Sequence, residues 1–415
     1  MSPPAKKRMD LLVQRQLDNI ASGNGAYLET FLRVSKSSGL STRLIFSPRH
    51  SFGNRPWASI HPRLVSLVDD VKWPQTITGG KYYWSLSPSV WARFAVRFVK
   101  ELIIRAGINL NIESYLGMPA SEQEQQILAE ICNADPSPIT IAEYSSMAPV
   151  LSLIKAPTNK GVLMHDILSN RSTRFRAQGV EPDFYEITVE QEAQWCRDAS
   201  LMIYASANEL EEFSKVLPGT SPVWLRPEPP QYGETPKDAP TRIVFIGTTH
   251  AGNSDALEHF IDEIWPMIRA ASPQTEFHIV GSIGKSLTSD QKNAPGVQVL
   301  GRVEKLEDIG GPNAIGIAPT RLATGVSIKV AEYLVLDMPC VAYPLALQGF
   351  GSELDAAVLL AHTKEEFAET VLSLIENNDR RHDVAKIGKS TALKALSNSE
   401  VERFLKAALE PTCEA

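Results

Sequence analysis

Short apolar runs alternate with longer amphipathic stretches along this chain, and the pattern predicts strands and helices in turn. Asp10–Arg15 is the first expected strand. SGNGAYLETFLRVSKSSG follows as a Gly-rich turn feeding an amphipathic helix that stops at Gly39, and Thr42–Ser47 (TRLIFS) is the next strand. That spacing makes a βαβ unit, the seed of a parallel sheet. Strands at Ile139–Glu143, Lys160–Met164 and Leu201–Ala205 then alternate with helices at Ser121–Ala134, Ser145–Leu153, Thr188–Ala199 and Ala207–Val216. Residues 48–90, rich in Pro, Ser, Gly and Trp, yield no firm elements. After them, Val90–Ala106 has strong helical periodicity.

A change of register comes at Pro218–Thr241, where prolines and polar residues crowd together as in an interdomain linker. The alternation restarts with strands at Arg242–Gly247, Glu276–Gly281, Val297–Gly301 and Ala314–Ala318, and with a helix at Asp255–Ala271. A chain of 415 residues exceeds the usual single core. The expectation is an α/β protein of two domains, residues 1–225 and 226–390. A C-terminal helix within 391–415 is expected to pack back toward the first.

Composition narrows the function classes. Net charge is −7, with no overall basic footprint for nucleic acid. The four cysteines (Cys132, Cys196, Cys340, Cys413) form no CxxC and no metal-like spacing, which fits a reduced, cytoplasmic setting. The start, MSPPAKKRMDLL, lacks an apolar core of signal-peptide length, and no apolar run reaches the ~18–20 residues that span a bilayer. Two readings of Val90–Ala106 stay open. Its Trp91, Phe94, Phe98 and Leu102 alternate with Arg93, Arg97 and Lys100, as on an interfacial helix at the inner membrane face, or on a core helix with a solvated basic side.

The densest chemical signal is AIGIAPTRLATGVSIKVAEYLVLDMPCVAY, residues 314–343. A buried strand leads into a loop holding Arg321 and Gly325, with Val326 just before a helix that opens near Ser327. Lys329 lies in its first turn and Glu332 three residues on, so they share a face. A helix start favours phosphate through its backbone N–H groups and dipole. Two cations beside it suit a diphosphate, and a carboxylate one turn deeper suits a ribose diol. The competing reading is a surface Lys–Glu pair. Gly247, Thr248, Thr249, Gly252 and Asn253 make a turn after the second domain's first strand, where missing Cβ atoms let backbone approach a ligand. Gly23, Asn24 and Gly25 make a similar turn in the first. His165 and Asp166 end the strand GVLM, either facing substrate or capping a helix. Glu143 ends the preceding strand.

These residues resemble a family. RIVFIGTTHAGNSDALEHFIDEIWPMI, EFHIVG, VQVLGRVEKLEDI and PTRLATGVSIKVAEYLVLDMPCVAYPLALQGF are similar, in order and spacing, to the carboxy-terminal half of GT-B glycosyltransferases, most closely the retaining family 4 branch. SGNGAY, IAEYSSMAPVLSLI and GVLMHDILS resemble its amino-terminal half more thinly. The resemblance implies a GT-B fold, two Rossmann-like domains with parallel sheets facing across a cleft. It implies transfer of a sugar from a nucleoside diphosphate sugar to a carbohydrate, lipid-linked or protein acceptor, with retention and without a metal or other cofactor. Arg321 and Lys329 would hold the donor phosphates, Glu332 the ribose, and His165 the transferred sugar. Gly25, Gly247, Thr248, Asn253, Gly325, Val326 and Ser327 would line the donor site. The family often has two glutamates with seven residues between them; Glu332 is the second here, and Thr324 stands at the first position. A non-catalytic carbohydrate- or protein-binding relative and a nucleotide-sugar epimerase are the rival expectations.

Overall fold

The computed structural model describes residues 7–18, 23–105, 117–177, 185–229, 232–322 and 326–409. The chain divides into two compact units. One comprises Met1–Ala205, Glu209–Leu225 and Asn398–Ala415, the other Ser206–Asn208 and Arg226–Ser397.

The first unit is built on a seven-stranded parallel sheet. Across it the order is Ser221–Trp224, Leu201–Tyr204, Asn159–Met164, Ile139–Glu143, Arg8–Val13, Ser41–Phe46 and Asp70–Lys72. The chain starts at Arg8–Val13, winds outward one way to Asp70–Lys72, then returns to the other side at Ile139–Glu143. The winding therefore reverses between Arg8–Val13 and Ile139–Glu143. In open α/β sheets ligands bind at the carboxyl ends of strands at such a reversal. The helix Ser399–Ala407 belongs to this unit, with Ser37 Oγ donating to Glu402 at 2.5 Å.

The second unit carries a six-stranded parallel sheet in the order Val297–Gly301, Glu276–Val280, Arg242–Ile246, Ala314–Ala318, Cys340–Ala342 and Leu359–Leu360. Here the winding reverses between Arg242–Ile246 and Ala314–Ala318. Strand side chains alternate faces, so one strand feeds two cores. Ile243, Phe245, Ile315 and Ile317 pack with helices around Phe260, Trp265 and Phe367. Val244, Ala314 and Ala318 pack with Val330, Leu334 and Ala392 on the other face. Each such buried aliphatic or aromatic side chain contributes about 1.5–3 kcal/mol.

Several elements differ from the sequence reading. The segment read as a linker holds the edge strand Ser221–Trp224 of the first sheet. Val223 and Trp224 are buried, so an isolated apolar pair inside a Pro-rich run completes a sheet. Gly23, Asn24 and Gly25 open the helix Gly23–Ser37 and are not a free-standing turn. The helix expected at Asp255–Ala271 begins at Ala251, so Gly252 and Asn253 are helical as well. It widens to a π turn over Phe260–Ile264 before Trp265–Ala271. Pro266 explains the wide turn, because it has no N–H to give and its ring crowds the carbonyl four residues back. Residues 48–90 hold a small antiparallel sheet of Trp57–Ala58, Tyr82–Ser85 and Thr76–Gly79. Its strands run two to four residues, too short for a periodicity to register.

Candidate functional site

Both winding reversals gather charged side chains. In the second unit, two loops leave the reversal. One follows Arg242–Ile246 and carries Gly247 and Thr248 into the helix Ala251–His259. The other follows Ala314–Ala318, carries Arg321, and leads through Val326 and Ser327 into the helix Ile328–Val335. Gly325 and Thr324 lie outside the described residues.

Tyr333 fixes that second helix. Its hydroxyl accepts from Ile246 N at 2.9 Å and donates to Ile317 O at 3.1 Å, tying the helix to both strands of the reversal. Gly316 permits the approach, since a Cβ there would meet the Tyr333 ring at 2.5 Å. The helix start is thereby held beside the first loop. Lys329 Nζ donates to Asn253 Oδ1, and Asn253 Nδ2 in turn donates to Thr248 O at 2.9 Å. The ammonium also lies 4.3 Å from the centre of the Phe245 ring.

The residue Lys329 is half-buried by area, but its charged end is sunk among these groups. Desolvation lowers its pKa to about 7, opposed chiefly by the charge of Glu332. Glu332 moves the other way, raised by burial to about 7 with Lys329 opposing. Both shifts have the same origin: the site is starved of water and lacks enough counter-charge. His250, whose Nδ1 accepts from Asn253 N at 3.4 Å, is lowered by burial and by the Lys329 charge.

Arg321 has a different setting. Its Nε and Nη2 donate to the two oxygens of Asp255 at 3.2 and 2.7 Å, and Nη1 lies 4.0 Å from Glu263. The hydrogen bond to Asp255 raises its pKa. So Arg321 and Lys329 both reach the helix Ala251–His259, but one meets a carboxylate and the other a neutral amide. Gly252 lets that helix close on the loop, since a Cβ would sit 2.6 Å from Leu322 O. Gly247 is equally confined, its N–H bonded to Val280 O at 2.9 Å and its missing Cβ 3.0 Å from the Phe245 ring. Ser327 is the N-cap of Ile328–Val335 but makes no side-chain cap bond.

The first unit places His165 just past Asn159–Met164, fully buried as a side chain. Its Nε2 lies 3.1 Å from Glu143 Oε1, and its ring packs on Tyr144 with centroids 4.5 Å apart. Glu143 Oε1 also accepts from Arg15 Nε at 2.8 Å. Arg15 donates further to Asn24 O at 3.1 Å, and Asn24 Nδ2 donates to the Tyr144 hydroxyl. Gly25 is thus one residue from this cluster, buried in the first helical turn. Burial alone would raise Glu143, but Arg15 and His165 bring it below the ordinary carboxylate range. His165 Nδ1 and Glu143 Oε2 are buried without a hydrogen-bond partner.

Asp166 pairs with Arg171 at 3.1 Å. The amides of Leu168 and Ser169, at the start of the helix Leu168–Ala177, go instead to Glu192 at 3.0 and 2.8 Å. Arg15, Tyr144, Phe245, Asp255 and Glu192 are site or support residues that the sequence reading passed over. Arg15, the last residue of the strand expected at Asp10–Arg15 and two residues past the observed strand Arg8–Val13, was the one with a positional signal. Among the described residues no group of three or more His, Cys, Asp or Glu is arranged to hold a metal ion. No described helix is long and apolar enough to cross a membrane.

Residues 240–377 match the family model described as glycosyl transferases group 1. No curated protein sequence matches the chain. Among solved structures, a glycosyltransferase from Rickettsia africae aligns with TM-score 0.59 at 10% identity, over 98% of this chain and 100% of the other. The Anabaena protein HepE in complex with UDP and glucose aligns with TM-score 0.56 at 11% identity, over 97% and 98%. An E. coli trehalose-6-phosphate structure bound with UDP-2-fluoro glucose aligns with TM-score 0.58 at 11% identity, over 97% and 99%. At such identities the alignments speak for the fold, which is GT-B with two Rossmann-like units. The family match falls within the second unit, where residues 240–377 are similar to group 1 glycosyl transferases.

Proposed function

We propose that this protein moves a sugar from a nucleoside diphosphate sugar to an acceptor hydroxyl, with retention at the anomeric carbon and without a metal. The observation that carries the reading is the desolvated Lys329 ammonium, held by neutral Asn253 and the Phe245 face at the winding reversal of a glycosyltransferase-type domain. A departing diphosphate gains negative charge as the glycosidic bond breaks. A cation in a water-poor site stabilises that charge more than one in bulk solvent. The anomeric carbon passes through an oxocarbenium-like state as the acceptor oxygen bonds to it. Lys329 contacts the diphosphate, and Arg321 joins it by exchanging Asp255 for phosphate. Glu332, raised by burial, accepts from or donates to the ribose hydroxyls. His165, oriented by Glu143, contacts the sugar.

Two fold neighbours hold uridine diphosphate ligands, which makes UDP-sugars the first donors to test. The acceptor class is a carbohydrate, a lipid-linked saccharide or a protein, and polysaccharide, glycolipid or glycoconjugate synthesis is the setting we assign. Thermal shift across a panel of nucleotide sugars identifies the donor, because ligand at 100 times Kd stabilises by about 2.7 kcal/mol. Product analysis with and without acceptor then tests transfer. A protein that shifts with no nucleotide sugar defeats the reading, and turnover to an isomeric donor without acceptor replaces it with epimerisation.

A further inference from the structure

Nine of the seventeen exposed large hydrophobic side chains among the described residues fall between Ile77 and Leu102. Eight lie in two elements of the first unit, the hairpin Thr76–Gly79/Tyr82–Ser85 and the helix Pro88–Arg105, and Leu86 lies in the link between them. The two are one framework. Trp57 packs on Trp84 with centroids 5.6 Å apart and on Phe94 at 5.4 Å, and Trp91 Nε1 donates to Ser85 O at 2.9 Å.

The helix is amphipathic in the inverted sense. Trp91, Phe98 and Leu102 share a face by their spacing, Val99 and Val96 lie successively further round to one side, and all five are exposed to solvent. Phe98 is 54% exposed and Val96 57%. The core-packing reading of Val90–Ala106 therefore fails for these side chains, while Val90 is buried and Phe94 packs on Trp57. Ile77 on the hairpin and Leu86 in the link are likewise more than half exposed, and Tyr82 and Trp84 stand beside them. A monomer that leaves an apolar face of this extent in water has something to set against it.

The charge pattern names the occupant. Residues 76–105, the hairpin and helix themselves, hold five basic side chains against the single acidic Glu101, a local net charge of +4 in a chain of net charge −7. Lys81 sits at the exposed hairpin tip, its Nζ 5.4 Å from the Tyr82 ring centre, and Lys100 lies on the helix next to Val99. Aliphatic side chains, Trp and Tyr rings and flanking Lys and Arg are the composition that settles at a bilayer surface. An acidic protein face would match the charge but supplies no fluid apolar layer for so many protruding rings.

We propose that this hairpin and helix form a docking surface for an anionic lipid bilayer, on which the protein rests peripherally. The aromatic and aliphatic groups enter the headgroup boundary, and Lys81 and Lys100 pair with lipid phosphates, while Arg93 and Arg97 stay bonded to Arg49 O and Glu101. The proposal does not depend on the sugar-transfer reading.

Flotation of the full chain with vesicles tests it. Expected is binding to vesicles of phosphatidylcholine with phosphatidylglycerol, weak binding to phosphatidylcholine alone, and loss in high salt. The charge variant Lys81→Glu/Lys100→Glu and the apolar variant Val96→Ser/Phe98→Ser each reduce binding by at least ~10-fold. These positions are surface-exposed or half-buried, and circular dichroism confirms that both variants stay folded. No binding to either vesicle, or binding unchanged in both variants, overturns the proposal. Self-association of the chain that Val96→Ser/Phe98→Ser abolishes, without vesicle binding, overturns it in favour of an interface between copies.

Discussion

The two winding reversals of this protein hold cations in opposite conditions. In the first unit Arg15 faces Glu143, and Glu143 is kept ionised inside the fold by Arg15 and His165. In the second unit Lys329 faces a neutral amide and an aromatic ring, while Glu332 nearby is pushed toward its neutral form. The first cluster balances its own charge, Arg15 against Glu143. The second leaves positive charge in a site that solvates it poorly, and it gains most when an anion arrives. Under the proposed function the closed ion pair positions His165, and the poorly balanced Lys329 binds the donor diphosphate.

The sharpest way to break this contrast is to remove one charge from each cluster and compare signs. Glu143→Gln keeps shape but leaves Arg15 without its counter-ion. Removing one partner of a buried pair costs about 3–5 kcal/mol, and the low end applies because the Arg15 side chain keeps 21% exposure. Chemical denaturation reads this directly, and native stability would show that the Arg15–Glu143 pair is not needed. Lys329→Met goes the other way. It removes an ill-solvated charge from an apolar setting and is expected to stabilise by on the order of 1–3 kcal/mol. The same variant should lose sugar transfer by ~10²-fold or more, the scale of one transition-state contact. A variant that is both less stable and fully active would erase the distinction between the clusters.

The pH dependence sharpens it further. Lys329 has a folded pKa near 7 against 10.5 for an ordinary lysine, so the native state binds fewer protons between those values and stability rises with pH across them. Glu332 is raised from 4.5 to about 7, so the native state binds more protons there and stability falls as pH rises through that window. Together the pair is most costly near neutrality. Binding an anionic diphosphate restores the charged lysine, so the complex should take up a proton at pH 8. Calorimetry in two buffers of different ionisation enthalpy measures that uptake; a buffer-independent heat would mean that Lys329 is not the group responding. A smaller effect is expected for Gly252→Ala, which sets a Cβ against Leu322 O and should cost about 1–3 kcal/mol without touching the first unit. Thermal melts report it.

Much of the second unit was legible because it is locally encoded. Buried strands such as AIGIA read as continuous apolar runs, and Lys329 and Glu332 sit one helical turn apart whatever the rest of the chain does. Asp255 was illegible as the partner of Arg321, being 66 residues away. Arg15 and Glu143 are 128 residues apart, and only the order of strands makes them neighbours. The edge strand Ser221–Trp224 was hidden for the same reason. A four-residue strand has no periodicity of its own, and it is a strand because Leu201–Tyr204 lies beside it.

By itself the sequence determined the alternation of strands and helices, the α/β class, the helix turn that presents Lys329, and the apolar and basic content of residues 76–105. Those are properties of neighbours within a few residues, where backbone propensity and side-chain period act directly. The tertiary structure alone decided which carboxylate meets which cation, how dry the Lys329 ammonium is, and that the apolar side of Pro88–Arg105 faces water instead of a core. Desolvation and ion pairing depend on what surrounds a group in space, and strand order, which no local pattern carries, sets those surroundings.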